Sequence, residues 1–373
     1  MANEDKTLPW GQTPWLVDFH PELSSIPEAV DFAVLGGGFT GLSTAAILRR
    51  LNPEKSVAVF EAETIGARSS GHTGGLTLGE TAAGDLPGLG DVLAGLSEIT
   101  RQLNLKCDLT LPGAWELDRS TETGNSPIRW NDSGELRIAR EVPGGTVDPG
   151  KLVSGLGRAA AQLGAVIFEG ARIDQIDFGD PLILYVNGSQ VRAQRVLIAT
   201  NSESLELSGL AGRAEPKLTL ALATESLSDT QLEALGLAAG KPFYTIDLPY
   251  LWGRLLRGNQ VVFGSGLVSV KNWRDLTAVD VRSGEASKLL TRLRKRVANL
   301  HPALAEVRFS HRWGGPILIS DGWLPVFAPH PRTPRAIVLG AYSGHGVALS
   351  VYLGAWAAEV LLNGRDLPKW SHP

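Results

Sequence analysis

The chain alternates between short uninterrupted apolar runs and stretches in which apolar residues recur every three or four positions. Asp31 to Leu35 (DFAVL) is a run of the first kind, with the length and composition of a buried central strand. It opens into Gly36-Gly37-Gly38-Phe39-Thr40-Gly41. From Leu42 to Leu51 most residues are helix formers, with Leu42, Ala45, Ala46 and Leu48 on one face, until Asn52-Pro53 stops the pattern. A second apolar run, Ser56 to Phe60 (SVAVF), ends on Glu61. Near the other end, Ala336 to Gly340 (AIVLG) reads as a strand, Tyr342 to Gly346 (YSGHG) as a glycine loop, and Val347 to Leu362 as an apolar helix. Between these lie strand-like runs at Lys217 to Thr224, Tyr244 to Leu248 and Gln260 to Gly264, with Arg257-Gly258-Asn259 as a hairpin turn. Tyr250, Trp252 and Arg254 alternate before that turn, so a strand there would direct all three to one face.

Glycines 36, 38 and 41 fit the spacing G-x-G-x-x-G between a strand and a helix. Gly36 permits the tight turn, Gly38 lets a pyrophosphate approach the backbone, and Gly41 allows the helix to pack closely on the strand. The helix start, with Phe39 and Thr40, then offers unpaired N–H groups and a positive dipole end to the phosphates. Glu61, at the tip of the second strand with Ala62 beside it, can accept hydrogen bonds from an adenosine ribose diol. Strand, fingerprint, helix, strand and acid in this order predict a dinucleotide site.

Composition narrows the partner. At 373 residues with 43% apolar content the chain suits one large or two closely joined domains. Thirty-five basic residues against 39 acidic ones give a formal net charge of -4, so no basic footprint for nucleic acid or anionic membrane is present and a small molecule is expected. Cys107 is the only cysteine, which excludes an internal disulfide and any cysteine-based metal cluster. No metal is expected, and the cysteine usage fits the cytoplasm. The start MANEDKTLPWGQTPW shows no secretory leader, and no uncharged run of ~20 apolar residues suggests a membrane span.

Ile65 to Glu80 (IGARSSGHTGGLTLGE) bears on which dinucleotide binds. An NAD domain would continue into another helix and strand, whereas here a loop rich in glycine and serine follows at once. Ser69, Ser70, Gly71, Gly74 and Gly75 would let a flat ring lie against the backbone, which suits the isoalloxazine of FAD. GGGFTGLSTA, and VFEAETIGA with that loop, resemble the N-terminal signature of the FAD-dependent D-amino-acid oxidase and glycine oxidase superfamily. HRWGGPILISDGWLPVFA and LGAYSGHGVALSVYLGAWAAEVL are similar to its closing strand, loop and helix, and TVDPGKLVSGLGRAAAQLGAVIFEGARIDQI with QVRAQRVLIATN to the returning part of its FAD domain. Within that superfamily, GGGFTGLS and the WGG-x-I block resemble the gamma-glutamylputrescine oxidase-like amine oxidases.

The resemblance implies an α/β fold: a discontinuous Rossmann-like FAD-binding domain (1–80, 145–213 and 310–373) and an interleaved α+β substrate domain with a mixed sheet (81–144 and 214–309). It implies that Ile173 touches adenine through its backbone, that Ala199 and Thr200 lie near the cofactor, and that Ser70, Thr73, Gly74, Gly75 and Leu76 line it. Gly344, His345, Gly346 and Val347 would bring a positive helix end to the flavin pyrimidine, with His345 either sharing that duty or serving as a capping residue. Trp313 either flanks the flavin or packs in the core.

Two positions depart from the pattern. His72 stands where the amine oxidases carry arginine, while dimethylglycine and sarcosine dehydrogenases have a flavin-linked histidine. FAD is expected to be held without a covalent bond, with a link at His72 as the alternative. Glycine oxidase-like members place an arginine a few residues after a tryptophan-small-Gly motif to clamp an α-carboxylate. Trp313-Gly314-Gly315-Pro316-Ile317 puts Ile317 there, which favours an amine without an adjacent carboxylate unless Arg254 or Arg312 supplies the clamp. Tyr250, Arg254 and His345 are the residues expected at the reacting centre. The resulting expectation is oxidation of a primary or secondary amine, of the polyamine-derivative type, by hydride transfer to flavin N5. Hydrolysis of the imine to aldehyde and amine would follow, with oxygen expected to take the electrons and an electron-transfer acceptor as the alternative. The alternatives are an α-amino acid or N-methylglycine oxidase and, in another class, a non-catalytic flavin-binding subunit.

Overall fold

A computed structural model describes residues 9–119, 126–248 and 250–371. The run at Asp31 forms the strand Ala29–Leu35, which pairs in parallel with Val57–Phe60 on one side and Ser189–Ile198 on the other. Val166–Phe168 and Thr333–Gly340 extend the parallel sheet outward, and Val326–His330 closes one edge antiparallel. Ser189–Ile198 shows how its position in the sheet is written in its sequence. Val191 and Ala193 are buried between exposed Arg192 and Gln194, whereas Val196, Leu197 and Ile198 are buried in succession where the strand is covered on both faces.

The helix Phe39–Leu51 follows the first strand directly and packs against Pro149–Gln162 and Gly346–Leu361. Ser43 and Thr44 are polar yet fully buried because their hydroxyls donate to the carbonyls of Val351 (2.8 Å) and Gly354 (2.7 Å). These bonds fix the two helices whose starts will matter below. Gly346–Leu361 is apolar nearly all round, as a helix enclosed on every side must be.

The second sheet runs Phe309–Ser320, Ala214–Thr224, Val261–Ser269, Trp252–Leu255, Phe243–Thr245, Ala114–Arg119, Glu135–Val142 and Trp130–Asn131. Its neighbours are antiparallel except Phe243–Thr245 against Ala114–Arg119, a parallel pair that joins two distant parts of the chain. The helix Gly284–Leu300 packs on Val261–Ser269 and Ala214–Thr224.

The segment 310–373 is divided between the sheets: Phe309–Ser320 pairs along its length with Ala214–Thr224 in the second, while Thr333–Gly340 lies in the first. Within 81–144, the helix Val92–Gln102 buries Val92, Leu93, Leu96 and Ile99 in the core beneath the first sheet. The expected strand from Tyr244 to Leu248 is shorter, Phe243–Thr245, because the chain bends at Ile246. Tyr250 precedes the strand Trp252–Leu255 and is not part of it. The hairpin turn forms at Gly258 and Asn259, with φ of 78° and 63°.

Candidate active site

The parallel strands Ala29–Leu35, Val57–Phe60 and Ser189–Ile198 end together, and the turns after them build a narrow cleft. Gly36 has φ +106°, and a Cβ there would run into the Ala199 carbonyl. A Cβ on Gly41 would overlap the Gly36 carbonyl, so Gly41 serves close packing and lies outside the cleft. The N–H of Gly37 donates to Glu61 Oε2 at 2.7 Å and that of Glu63 to Oε1 at 2.9 Å, leaving a lone pair on each oxygen. Burial pushes the Glu61 carboxyl up, and the two backbone donors pull against it.

Gly36, Gly38, Glu61, Ala62 and Ser70 line this cleft of about 100 Å3 from one side. Ile173, Ala199 and Thr200 line it from the other. Thr200 Oγ1 and Ser202 Oγ are buried with no partner among the described residues. Gly38 caps the helix Phe39–Leu51 without a side chain, and Ser70 Oγ accepts the Phe39 N–H at 3.0 Å, tying the second loop to the helix start.

Through Gly38, Ser69, Ser70, Ala199 and Asn201 the cleft continues into a cavity of about 740 Å3. One wall carries Phe39, Thr40, His72, Thr73, Gly74 and Leu76. Another is the start of the last helix, Gly344 to Val347 with His345, and Tyr250 enters from the second sheet's side. Asn201 Oδ1 accepts the Ala341 N–H at 2.9 Å, joining the loops after two adjacent strands. Asn201, Ala341 and Ser343 have φ of 45°, 54° and 50°, conformations that cost about 1–3 kcal/mol each and that cluster at functional sites. Thr40 Oγ1 and the Tyr342 hydroxyl are 2.7 Å apart, linking the two helix starts.

His72 is held by a 3.0 Å contact of Nδ1 with the Arg68 carbonyl and by Trp10 packed edge-on at 5.8 Å, and burial lowers its pKa. His345 Nδ1 is buried and has no hydrogen-bond partner of good geometry among the described residues, and burial pulls the pKa down against the opposing effects of the Ser343 backbone and Glu80.

Three expected residues stand behind the cavity. Trp313 is buried against Trp15 and donates Nε1–H to the His72 carbonyl at 3.0 Å, bracing the loop from beneath. Gly75, with φ +75°, lies against the Val147 carbonyl. Arg254, expected at the reacting centre, instead lies under Gly75, donates to the Val147 carbonyl at 2.8 Å and faces Trp15 at 5.7 Å. Burial brings its pKa down to about 10. Arg312 is exposed on its strand.

Three residues outside the sequence expectations face the cavity. The Tyr244 hydroxyl lies 3.1 Å from Glu116 Oε2 and 3.3 Å from Glu80 Oε1. Arg140 holds Glu116 through two bonds of 2.7 and 2.8 Å and keeps its carboxyl below the usual range. Burial, with the two carboxylates, pushes the phenol up. Ile246, Leu267, Ile317, Ile319 and Trp323 make the surrounding walls apolar, and the described lining residues include no lysine or arginine.

A glycine cleft at the ends of parallel strands, continuing into a cavity under a second sheet, is the arrangement of a dinucleotide-binding enzyme. The chain belongs to the FAD dependent oxidoreductase family, which it matches over residues 31–360. It is 27% identical to gamma-glutamylputrescine oxidoreductase of Escherichia coli over 377 residues, covering 89% of this chain and 83% of that one. It is 26% identical over 387 residues to the probable oxidoreductase OrdL of Haemophilus influenzae, covering 92% and 85%. Among solved structures it shares the fold of glycine oxidase from Geobacillus kaustophilus, with a TM-score of 0.71 at 18% identity and coverage of 91% and 96%. L-proline dehydrogenase from P. horikoshii gives 0.73 at 16%, with coverage of 93% and 98%.

The residues present fit FAD. A helix start whose cap residue is a glycine, glycines that leave the backbone open and the orphaned Thr200 hydroxyl in the narrow cleft suit a long anionic ligand. A second helix start reaches the wide end of the same space. No helix among the described residues is long and apolar enough to cross a membrane.

Proposed function

We propose that this enzyme oxidises a primary or secondary amine, of the polyamine-derivative type, to an imine that hydrolyses to an aldehyde and, respectively, ammonia or a smaller amine. The observation that carries the reading is the charge of the large cavity. Glu80 and Glu116 face it, and no lysine or arginine is found among its described lining residues. An α-amino acid brings a carboxylate that calls for a basic clamp, whereas an amine brings a cation that acidic walls attract. Both arginines weighed as clamps lie elsewhere, Arg254 behind the loop and Arg312 on an exposed face. The name of the Escherichia coli relative, gamma-glutamylputrescine oxidoreductase, points the same way.

FAD, when bound, supplies the two-electron acceptor for the C–H bond beside nitrogen and is returned to its oxidised form by oxygen or an electron-transfer acceptor. In this reading the first sheet and its helices hold the cofactor and the second sheet closes over the amine. The start of Phe39–Leu51 would hold the pyrophosphate and Glu61 the ribose. Ile173, Ala199 and Thr200 would flank the adenosine. The loop from Ser70 to Leu76 and the start of the last helix would enclose the ring, without a covalent bond. Ile317 and Ile319 give the reacting amine an apolar wall, which favours its neutral, reactive form.

Anaerobic mixing of the purified flavoprotein with monoamines, diamines, acyl-capped diamines, N-methyl amino acids and free amino acids tests this through the yellow flavin band. Bleaching by amines and not by α-amino acids is the expected result. Bleaching by α-amino acids alone would overturn it, and no bleaching would leave a flavin-binding subunit.

A further inference from the structure

Glu80, Glu116 and Tyr244 lie on three separate segments that converge on one phenol oxygen. Tyr244 is opposite Glu116 in the parallel pair of Phe243–Thr245 and Ala114–Arg119, and Glu80 follows the strand Leu76–Leu78. A phenol carries one proton, so it serves one carboxylate at a time while the other stands beside it. Two like charges so close disfavour each other. Among the described residues Arg140 pairs directly with Glu116 and reaches Glu80 only through space, so one guanidinium, its side chain 61% exposed, stands against two carboxylates. The described residues lining the cavity offer Glu80 no lysine or arginine, and burial holds the pKa of nearby His345 down, so the deficit of positive charge opens onto the cavity. A divalent metal is a poor candidate to fill it. One of the two carboxylates is already held bidentately by arginine, leaving far fewer free oxygens than the six to eight or so that a calcium ion takes.

We propose that Glu80 and Glu116 receive a second positive charge of the substrate, so that the enzyme selects diamines or longer polyamines with a free distal ammonium over monoamines and acyl-capped amines. This rests on the amine reading above. Ile246, Leu267 and Ile319 provide the apolar surface along which the methylene chain lies, and Tyr244 sets the spacing of the two carboxylates.

The test is the anaerobic reductive half-reaction of the holoenzyme with 1,4-diaminobutane, butylamine and N-acetyl-1,4-diaminobutane, which separates Kd from the limiting rate of flavin reduction. The diamine is expected to bind at least about tenfold more tightly than the other two, with the difference in Kd rather than in the limiting rate. Glu80→Gln should reduce that preference to about threefold or less. Tyr244→Phe, which releases the carboxylates from their shared donor, should weaken it in the same sense and serves where Glu80→Gln does not retain FAD. Equal binding of butylamine and the diamine by the wild type, or a preference that survives in both variants, would overturn the proposal while leaving amine oxidation in place. Bleaching by no amine at all would remove both.

Discussion

Glu61 Oε2 accepts the backbone N–H of Gly37 at 2.7 Å, which ties the tip of the second strand to the middle of the glycine turn. Oε1 takes the Glu63 N–H at 2.9 Å, so one side chain sets the shape of the turn and the chain's exit from the strand. Each of these charge-assisted bonds is worth about 1.5–3 kcal/mol. Glu61→Ala should therefore weaken FAD binding about tenfold or more, with Glu61→Gln in between, measured as recovery of flavin fluorescence on dilution. An unchanged Kd would deny Glu61 this role.

Glu203 lies at the rim of the narrow cleft, with Oε1 3.7 Å from Arg68. Burial, helped by Glu63 and Glu61 against the pull of Arg68 and Arg172, raises its pKa from 4.5 to about 7. Between those values the folded protein holds a proton that the unfolded chain has released, so stability falls as pH rises. The slope is at most about 1.4 kcal/mol per pH unit. Glu203→Gln removes it. The melting temperature of the variant relative to wild type should climb from about pH 5 to about pH 7.5 and level off above; a pH-independent difference would contradict the buried ionisation.

Trp252 sits between two glycines on different elements. A Cβ on Gly264, or on Gly74, would overlap its indole. Gly264→Ala should cost about 1–3 kcal/mol by overpacking and lower the melting temperature by several degrees. In a Trp252→Ala background the same change should cost less, with a coupling above about 0.5 kcal/mol in a double-mutant cycle. Strict additivity would show that the indole is not what the glycine accommodates.

The turn from Asp31 to Leu51 was legible because each residue in it follows a local rule: apolar strand, glycine turn, helix formers. The helix begins at Phe39 rather than Leu42 because Gly38, in extended backbone, already acts as its cap. The last helix was legible for the same reason. The acidic end of the cavity was not, since Glu80, Glu116 and Tyr244 meet only when positions 128 and 164 apart in sequence are brought together. Alternation correctly placed Trp252 and Arg254 on one face, yet it could not show that Gly74 and Gly75 cross that face, leaving Trp252 in the cavity and Arg254 beneath the loop. Tyr250 lines the cavity although it precedes the strand.

His72 lines the cavity with Nδ1 engaged by the Arg68 carbonyl and its ring fixed by Trp10, an arrangement that already satisfies one nitrogen and orients the other. A flavin held only by the glycine turns and helix starts should leave the protein on acid precipitation. The supernatant is expected to be yellow and the pellet colourless, with the intact mass equal to that of the chain alone. A coloured pellet and a mass raised by one FAD, both abolished in His72→Ala, would establish the covalent link instead.

Ile317 lines the cavity from the strand Phe309–Ser320, in a wall otherwise free of basic side chains. Ile317→Arg would place a guanidinium in this apolar wall and would offer a bidentate partner to a carboxylate on the reacting carbon. The variant should lose about tenfold or more in kcat/KM for butylamine, whose cation in solution it repels on entry, and should gain flavin reduction by glycine or sarcosine. Ile317→Leu, which keeps size and polarity, should retain the wild-type order of substrates and so separates charge from packing. If arginine changes neither substrate, position 317 does not face the reacting carbon. The inference from the Trp313 to Ile317 segment against α-amino acids would then fall, leaving Glu80 and Glu116 as its remaining support.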